Sequence, residues 1–162
     1  MLMIAAALEE ELKVGMALCP RKYRVLNDKI HLWQASRNGR AMAFLKTGVG
    51  PKRSAANLAE ALRSIPCTRL LIVGYAGALD PELRLGDLVA VEKAMAFSLG
   101  KLKPHWDRVK LDGACDLAEA KKLARTAASA GLRIRTGDIL TSAHVLGDPE
   151  HKRILFDPKL IL

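Results

Sequence analysis

Aromatic residues make up only 4% of this 162-residue chain. That excludes a core built on stacked rings and leaves few platforms on which a single-stranded nucleic acid could stack. Half of the residues are hydrophobic, so Ala, Leu, Val and Ile must fill the interior. Small aliphatic residues of this kind suit strands covered by helices on both faces. Cysteine is equally scarce: Cys19, Cys67 and Cys115 form an odd set without close spacing. They read as reduced, packed thiols, neither a disulfide framework nor a zinc site. His31, His105, His144 and His151 show no ligand spacing either, and no metal is expected. No apolar run reaches the ~18 residues of a membrane span. The opening MLMIAAALEEELK has no basic region before it turns acidic, so it is not read as a signal peptide and a cytoplasmic location is expected.

Positive charge is what the chain has in excess, with 26 Lys and Arg against 17 Asp and Glu, a net charge of +9. The basic residues are spread along the sequence in short pairs such as Arg21-Lys22 and Lys52-Arg53. Such a distribution describes a solvated basic surface and not a nucleic-acid footprint. No repeat, linker or low-complexity segment interrupts the chain, and its length fits a single domain over residues 1–162.

Strands and helices are expected to alternate. Met1 to Ala7 is a short apolar run that predicts a buried strand. Leu8 to Leu18 predicts a helix with Leu8, Leu12, Ala17 and Leu18 facing inward, stopped by Pro20. Lys29 to Arg37 and Ala41 to Thr47 flank Asn38-Gly39, a dipeptide that favours positive φ at both turn positions and therefore predicts a hairpin. In the first of these strands Ile30, Leu32 and Gln34 share one face. Pro51 opens a helix whose apolar stripe is Leu58, Ala61 and Leu62. Arg69 to Gly74 reads as a central parallel strand, and a long loop leads to a strand over Asp87 to Glu92. Residues 95–113 read as irregular. Asp116, with Glu119 three residues on, predicts a capped helix to about Ala130, ended by Gly131. Leu132 to Ile139 predicts a strand, and Pro149 to Phe156 a short helix. This order implies βαβ units and a mostly parallel sheet.

Ligands of open α/β sheets bind beyond the carboxyl ends of the strands. The candidate site is therefore made of the turns after the first strand, after TGVG, after IVG and around TGD. Each turn has two readings. Glu9, Glu10 and Glu11 complement the positive end of a helix dipole, or one of them turns inward to orient or deprotonate a water. Gly48 and Gly50 make a tight strand–helix turn, or let backbone N–H groups approach an anion or a ribose hydroxyl. Lys52 and Arg53 oppose the helix dipole unless an anion lies near. The segment has neither the Lys-Ser/Thr ending of a P-loop nor the third glycine of a dinucleotide fingerprint. Gly74, Tyr75, Ala76 and Gly77 allow close packing, or leave room for a planar base. Asp80-Pro81 and Gly86-Asp87 read as turn chemistry, and Asp138 as an Asx turn or a contact near a base.

In sequence order IAAALEEEL (4–12), TGVGPKRSAANLAEAL (47–62), IVGYAGALDPELRLGDLVAVEKA (72–94) and TGDILTS (136–142) resemble the purine nucleoside phosphorylase/methylthioadenosine–adenosylhomocysteine nucleosidase superfamily. GALDPELRLGDLV is similar to its hopanoid-associated phosphorylase-like branch. The resemblance implies a three-layer α/β/α fold around a mixed, mostly parallel sheet, and a homo-oligomer, dimeric or larger. It also implies a small-molecule purine nucleoside as substrate, no metal or organic cofactor, and neither nucleic acid nor membrane as partner. Glu11 falls on the position of the nucleosidases' water-activating glutamate. Gly48, Gly50, Gly74, Tyr75 and Ala76 fall along the sugar and base pocket, and Leu140 and Thr141 where backbone recognises the base edge.

Two departures qualify these expectations. Phosphorylases of the bacterial hexameric type carry Arg and Ser where this chain has Ile72 and Tyr75, so that phosphate pattern is not matched, and nucleosidases also carry Ser at the position of Tyr75. Family members continue into a strand and helix with a Met-Glu pair for the ribose hydroxyls and a later Asp or Asn that protonates the leaving purine. This chain stops at FDPKLIL (156–162), so the expectation is a C-terminally truncated member with little activity of its own. Hydrolysis of an adenine nucleoside is the leading expectation. The alternatives are a phosphate-dependent phosphorylase and a non-catalytic nucleoside-binding paralogue.

Overall fold

The computed structural model describes residues 1–19, 24–27, 29–99, 109–117, 119–142 and 147–156. Pro20, Arg21, Lys22, His105, His144 and residues 157–162, which carry expectations above, lie outside them, as do the side chains of Cys115 and His151. The chain divides into two compact units, Met1–Ala76 and Gly77–Leu162.

In the first unit, β1 (Leu2–Ala6) lies between two parallel neighbours, β4 (Arg40–Lys46) and β5 (Arg69–Ile72). Two further antiparallel strands, β3 (Leu32–Arg37) and β2 (Arg24–Asn27), extend the sheet beyond β4 in the order β2-β3-β4-β1-β5. Alternation along the strands separates two cores, because successive side chains point to opposite faces. Met3, Ala5, Ile30, Leu32, Ala43 and Leu45 pack with Ala61 and Ile65 on one face, against helix α2 (Pro51–Ser64). Ala6, Ala35 and Phe44 pack with Leu12 and Cys19 on the other, against helix α1 (Glu9–Ala17). Within this unit a sheet is therefore held between one helix on each face, as three layers. A helix on either side explains why β1 reads as continuous apolar sequence with no polar face.

The β3–β4 hairpin turns at Asn38 and Gly39, with φ of 52° and 74°. Both positive values are what the Asn-Gly pair predicts. Gly15 sits inside α1, where glycine costs roughly 1 kcal/mol against alanine. A Cβ there would stand 3.2 Å from Cε1 of Phe44, so the glycine gives the ring its place.

In the second unit, β6 (Leu88–Leu99) pairs antiparallel with β7 (Val109–Asp116) and parallel with β8 (Ile134–Ser142). Helix α3 (Ala120–Ser129) packs on β6 and β8, and α4 (Pro149–Phe156) follows β8. Gly131, at φ 79°, ends the turn after α3. The two sheets are mixed, with three parallel and three antiparallel pairings among the described strands. Among the described residues no helix is long and apolar enough to cross a membrane.

Several expectations are corrected. Residues 95–99 continue β6, and 109–113 begin β7. Asp112 and Gly113 are poor strand formers, yet the ladder to β6 runs past them: Gly113 pairs with Ala96 and Leu111 with Phe97, and Asp112 stands at the register shift between the two pairs. Asp116 ends β7, and α3 begins only at Ala120, with Glu119 in the cap position and no side-chain cap. β5 is not central in its unit but ends the strand order. In α1 only Leu12 of the four expected inward residues is buried, while Leu8 and Leu18 are exposed. The inward stripe runs through Leu12, Met16 and Cys19 instead.

Phe44 is completely buried, whereas Leu62 is 46% exposed. Phe44→Ala is expected to lower the unfolding free energy by about 3–5 kcal/mol, and Leu62→Ala by under about 1 kcal/mol. Urea titrations of both variants check the difference.

Candidate functional site

β1, β4 and β5 run side by side in one direction, so their carboxyl ends, Ala6, Lys46 and Ile72, open on the same sheet edge. The turns that follow hold Glu11, Gly48, Gly50, Gly74, Tyr75 and Ala76, and backbone hydrogen bonds stitch them together. Thr47 N–H donates to the Ala6 carbonyl at 2.7 Å, and Gly48 N–H to that of Ala7 at 3.1 Å. Val73 N–H donates to the Ala5 carbonyl at 2.9 Å. The Thr47 hydroxyl also donates to Ala6 O, and the Asn57 amide reaches back from α2 to the Thr47 carbonyl at 3.0 Å.

Glu11 is at the centre of this arrangement. It is the third residue of α1, and its Oε2 accepts the N–H of Leu8 at 2.9 Å. This is half of a capping box; the reciprocal half needs a side-chain acceptor, which leucine lacks. The other oxygen, Oε1, accepts the N–H of Tyr75 at 3.0 Å. One carboxylate thus joins the turn after β1 to the turn after β5. Glu9 is turned elsewhere, 3.9 Å from the Lys46 ammonium, and both side chains are solvated enough for that pair to contribute little.

The glycines divide by what they supply. Gly48 (φ 80°) and Gly50 (φ 97°) hold backbone conformations that other residues rarely adopt. At Gly48 a Cβ would meet Cδ of Arg53 at 2.5 Å and Cγ at 3.0 Å, so the arginine chain folds over the glycine. The Gly48 N–H is already donated to Ala7. Gly50 precedes Pro51 at the start of α2, has open space around its Cα, and offers no side-chain cap. Lys52 and Arg53 occupy a first turn without acids. Tyr75 is 83% exposed, and its backbone N–H is held by Glu11. Thr47 and Asn57, which hydrogen-bond to the Ala6 and Thr47 carbonyls, carry no reading in the sequence. Their effect is on the backbone of the turn, which no residue-type pattern announces.

Leu140 and Thr141 lie near the end of β8 in the second unit, opposite Met95 and Ala96. In that unit Asp80 Oδ1 accepts the Glu82 N–H at 2.8 Å and Asp87 Oδ2 the Arg84 N–H at 2.9 Å. Both are turn contacts, as expected from Asp-Pro and Gly-Asp. Arg135 lies 3.8 Å from Asp80 and 3.4 Å from Glu82, tying that loop to β8. No described cluster of His, Cys, Asp and Glu could hold a metal ion.

The sequence matches the phosphorylase superfamily over residues 2–157, across both units. No curated protein matches it. Among solved structures it is similar to Helicobacter pylori 5'-methylthioadenosine/S-adenosylhomocysteine nucleosidase, with a TM-score of 0.80 at 13% identity over 95% of this chain and 69% of that one. Futalosine hydrolase of the same organism gives 0.78 at 15% identity, covering 95% and 73%. The Neisseria meningitidis nucleosidase, solved with methylthio-immucillin-A, gives 0.75 at 17% identity, covering 93% and 68%. At these identities the likeness is one of fold.

Removing the Glu11 carboxylate deletes two hydrogen bonds to backbone N–H groups at a partly solvated position. Glu11→Ala is expected to lower stability by about 1–2 kcal/mol. Chemical denaturation measures it, and amide exchange should speed at Leu8 and Tyr75.

Proposed function

The chain belongs to the phosphorylase superfamily, and on that premise we propose that it hydrolyses the N-glycosidic bond of a purine nucleoside, with an adenine nucleoside as the first substrate to test. One observation carries the reading: the Glu11 carboxylate is fixed at the edge where three parallel strands end, by the N–H groups of Leu8 and Tyr75. A carboxylate has about four lone-pair sites. Two are taken here, and the others are free to accept a proton from water. The water oxygen adds to the anomeric carbon as the C–N bond breaks. Its proton passes to Glu11, and the bonding pair leaves with the base. The fixed negative charge also stabilises positive charge developing on the sugar. General-acid assistance to the departing base is assigned to no described residue.

Gly48, Gly50, Gly74, Tyr75 and Ala76 are assigned to the walls of the sugar and base pocket. The backbone of Leu140 and Thr141 is assigned to the base edge by resemblance alone. Neither a metal nor an organic cofactor has a part in this chemistry. The same reading has the chain act in the cytoplasm as a homo-oligomer, dimeric or larger, on a small-molecule nucleoside. Hydrolysis is favoured over phosphorolysis because a carboxylate is suited to deprotonating water, whereas Ile72 supplies no charge for phosphate.

Adenine release from adenosine, followed by chromatography, tests the assignment. Glu11→Gln is expected to slow release by about 10²–10⁴-fold. Equal release by the two proteins removes Glu11 from the mechanism.

A further inference from the structure

We propose that Gly74 is a positioning residue for Glu11: its missing Cβ is the space in which the carboxylate lies. The proposal rests on the assignment of Glu11 as the water-activating group. Glycine is demanded at Gly39, Gly48, Gly50, Gly86 and Gly131 by positive φ, but Gly74 is not among these. Its backbone conformation is open to other residues, so what the glycine supplies is space. A Cβ at position 74 would stand 3.1 Å from Oε1 of Glu11, 3.6 Å from Cδ and 3.8 Å from Oε2. The first distance is shorter than the roughly 3.5 Å of ordinary non-bonded contact. The oxygen that would be pushed is the one that accepts the Tyr75 N–H.

The displaced atoms are the far end of a flexible side chain, so the fold can absorb a methyl group there by moving the carboxylate. The chemistry cannot absorb it as easily. A group that takes a proton must lie within about 2.6–3.2 Å of its donor, and a misplacement near 1 Å can cost about 10²-fold in rate. A shift of a few tenths of an ångström, together with the weakened Tyr75 bond, moves Glu11 towards that limit, while the three atoms nearest the methyl group, its chain neighbours aside, all belong to Glu11. Gly74 is thereby distinguished from a residue that merely lines the pocket, whose enlargement would weaken substrate binding first.

The test compares the wild-type chain with Gly74→Ala, Glu11→Gln, Glu11→Asp and the Gly74→Ala/Glu11→Asp double variant. The readouts are adenosine turnover, Kd for a non-hydrolysable adenosine analogue, and amide proton shifts in ¹H–¹⁵N spectra. Gly74→Ala is expected to lower kcat about 10- to 100-fold with the analogue Kd changed less than about twofold, and to shift the Leu8 and Tyr75 amide resonances. In the Glu11→Asp background, where the shorter side chain leaves room for a methyl group, the same substitution should cost less than a third as much.

Three results overturn the proposal: an unchanged kcat in Gly74→Ala, a loss that appears in Kd instead of kcat, or unmoved Leu8 and Tyr75 amides. Failure of the underlying assignment looks different, since Glu11→Gln would then turn over like the wild type whatever Gly74→Ala does. The amide shifts report the carboxylate's displacement even without turnover. If Gly74→Ala does not fold, equal turnover of Glu11→Asp and the wild type overturns the proposal by showing that the carboxylate's reach is immaterial.

Discussion

A single carboxylate accepting two backbone N–H groups organises the candidate site. Glu11 is bonded to Leu8 within its own helix start and to Tyr75 in the segment after β5. Backbone bonds from Thr47 and Gly48 to Ala6 and Ala7 secure the same turn on its other side. The start of α1 is therefore held between the exits of both parallel neighbours of β1. Parallel strands place their carboxyl ends together by construction, but only these cross-links fix how the three turns face one another. The same carboxylate serves as helix cap, tie between loops and candidate base, so its position is determined by the fold rather than by a ligand.

That arrangement explains the glycine distribution around the edge. Gly48 and Gly50 are needed for backbone conformations at the β4–α2 turn, whereas Gly74 is needed for the volume it leaves vacant. Gly15 follows the second principle on the far side of α1, where it admits Phe44. One glycine thus seats the helix on the sheet and another seats the helix's carboxylate against β5. Tyr75 contributes to Glu11 through its backbone N–H, so that tie does not depend on its side chain.

Much of this was legible in the sequence, and the reasons are local. Asn38-Gly39 determines a turn through its own φ preferences, Pro51 and Gly50 mark a helix start, and the apolar run of β1 implies cover on both faces. Of the motifs that carry the family resemblance, IAAALEEEL, TGVG and IVG fall at the ends of β1, β4 and β5, whereas TGDILTS lies within β8 of the second unit. Features dependent on distant pairing were not legible: β7, with Asp112 and Gly113, forms against β6 despite its own composition. The inward face of α1 is not legible from its leucines, because leucine alone does not say which side meets the sheet; Met16 and Cys19 do so, with Phe44 beneath. Glu11 could be singled out from its neighbours only by resemblance. The partner that distinguishes it, the N–H of Tyr75, is 64 residues away.

The central claim is that the fixed carboxylate directs water, and not phosphate, at the anomeric carbon. The most direct measurement is the identity of the sugar product when the chain turns over adenosine in phosphate buffer, followed by ³¹P NMR. Free ribose, no sugar 1-phosphate signal and a rate independent of phosphate concentration are the predicted result. Accumulation of ribose 1-phosphate in step with adenine would contradict the account.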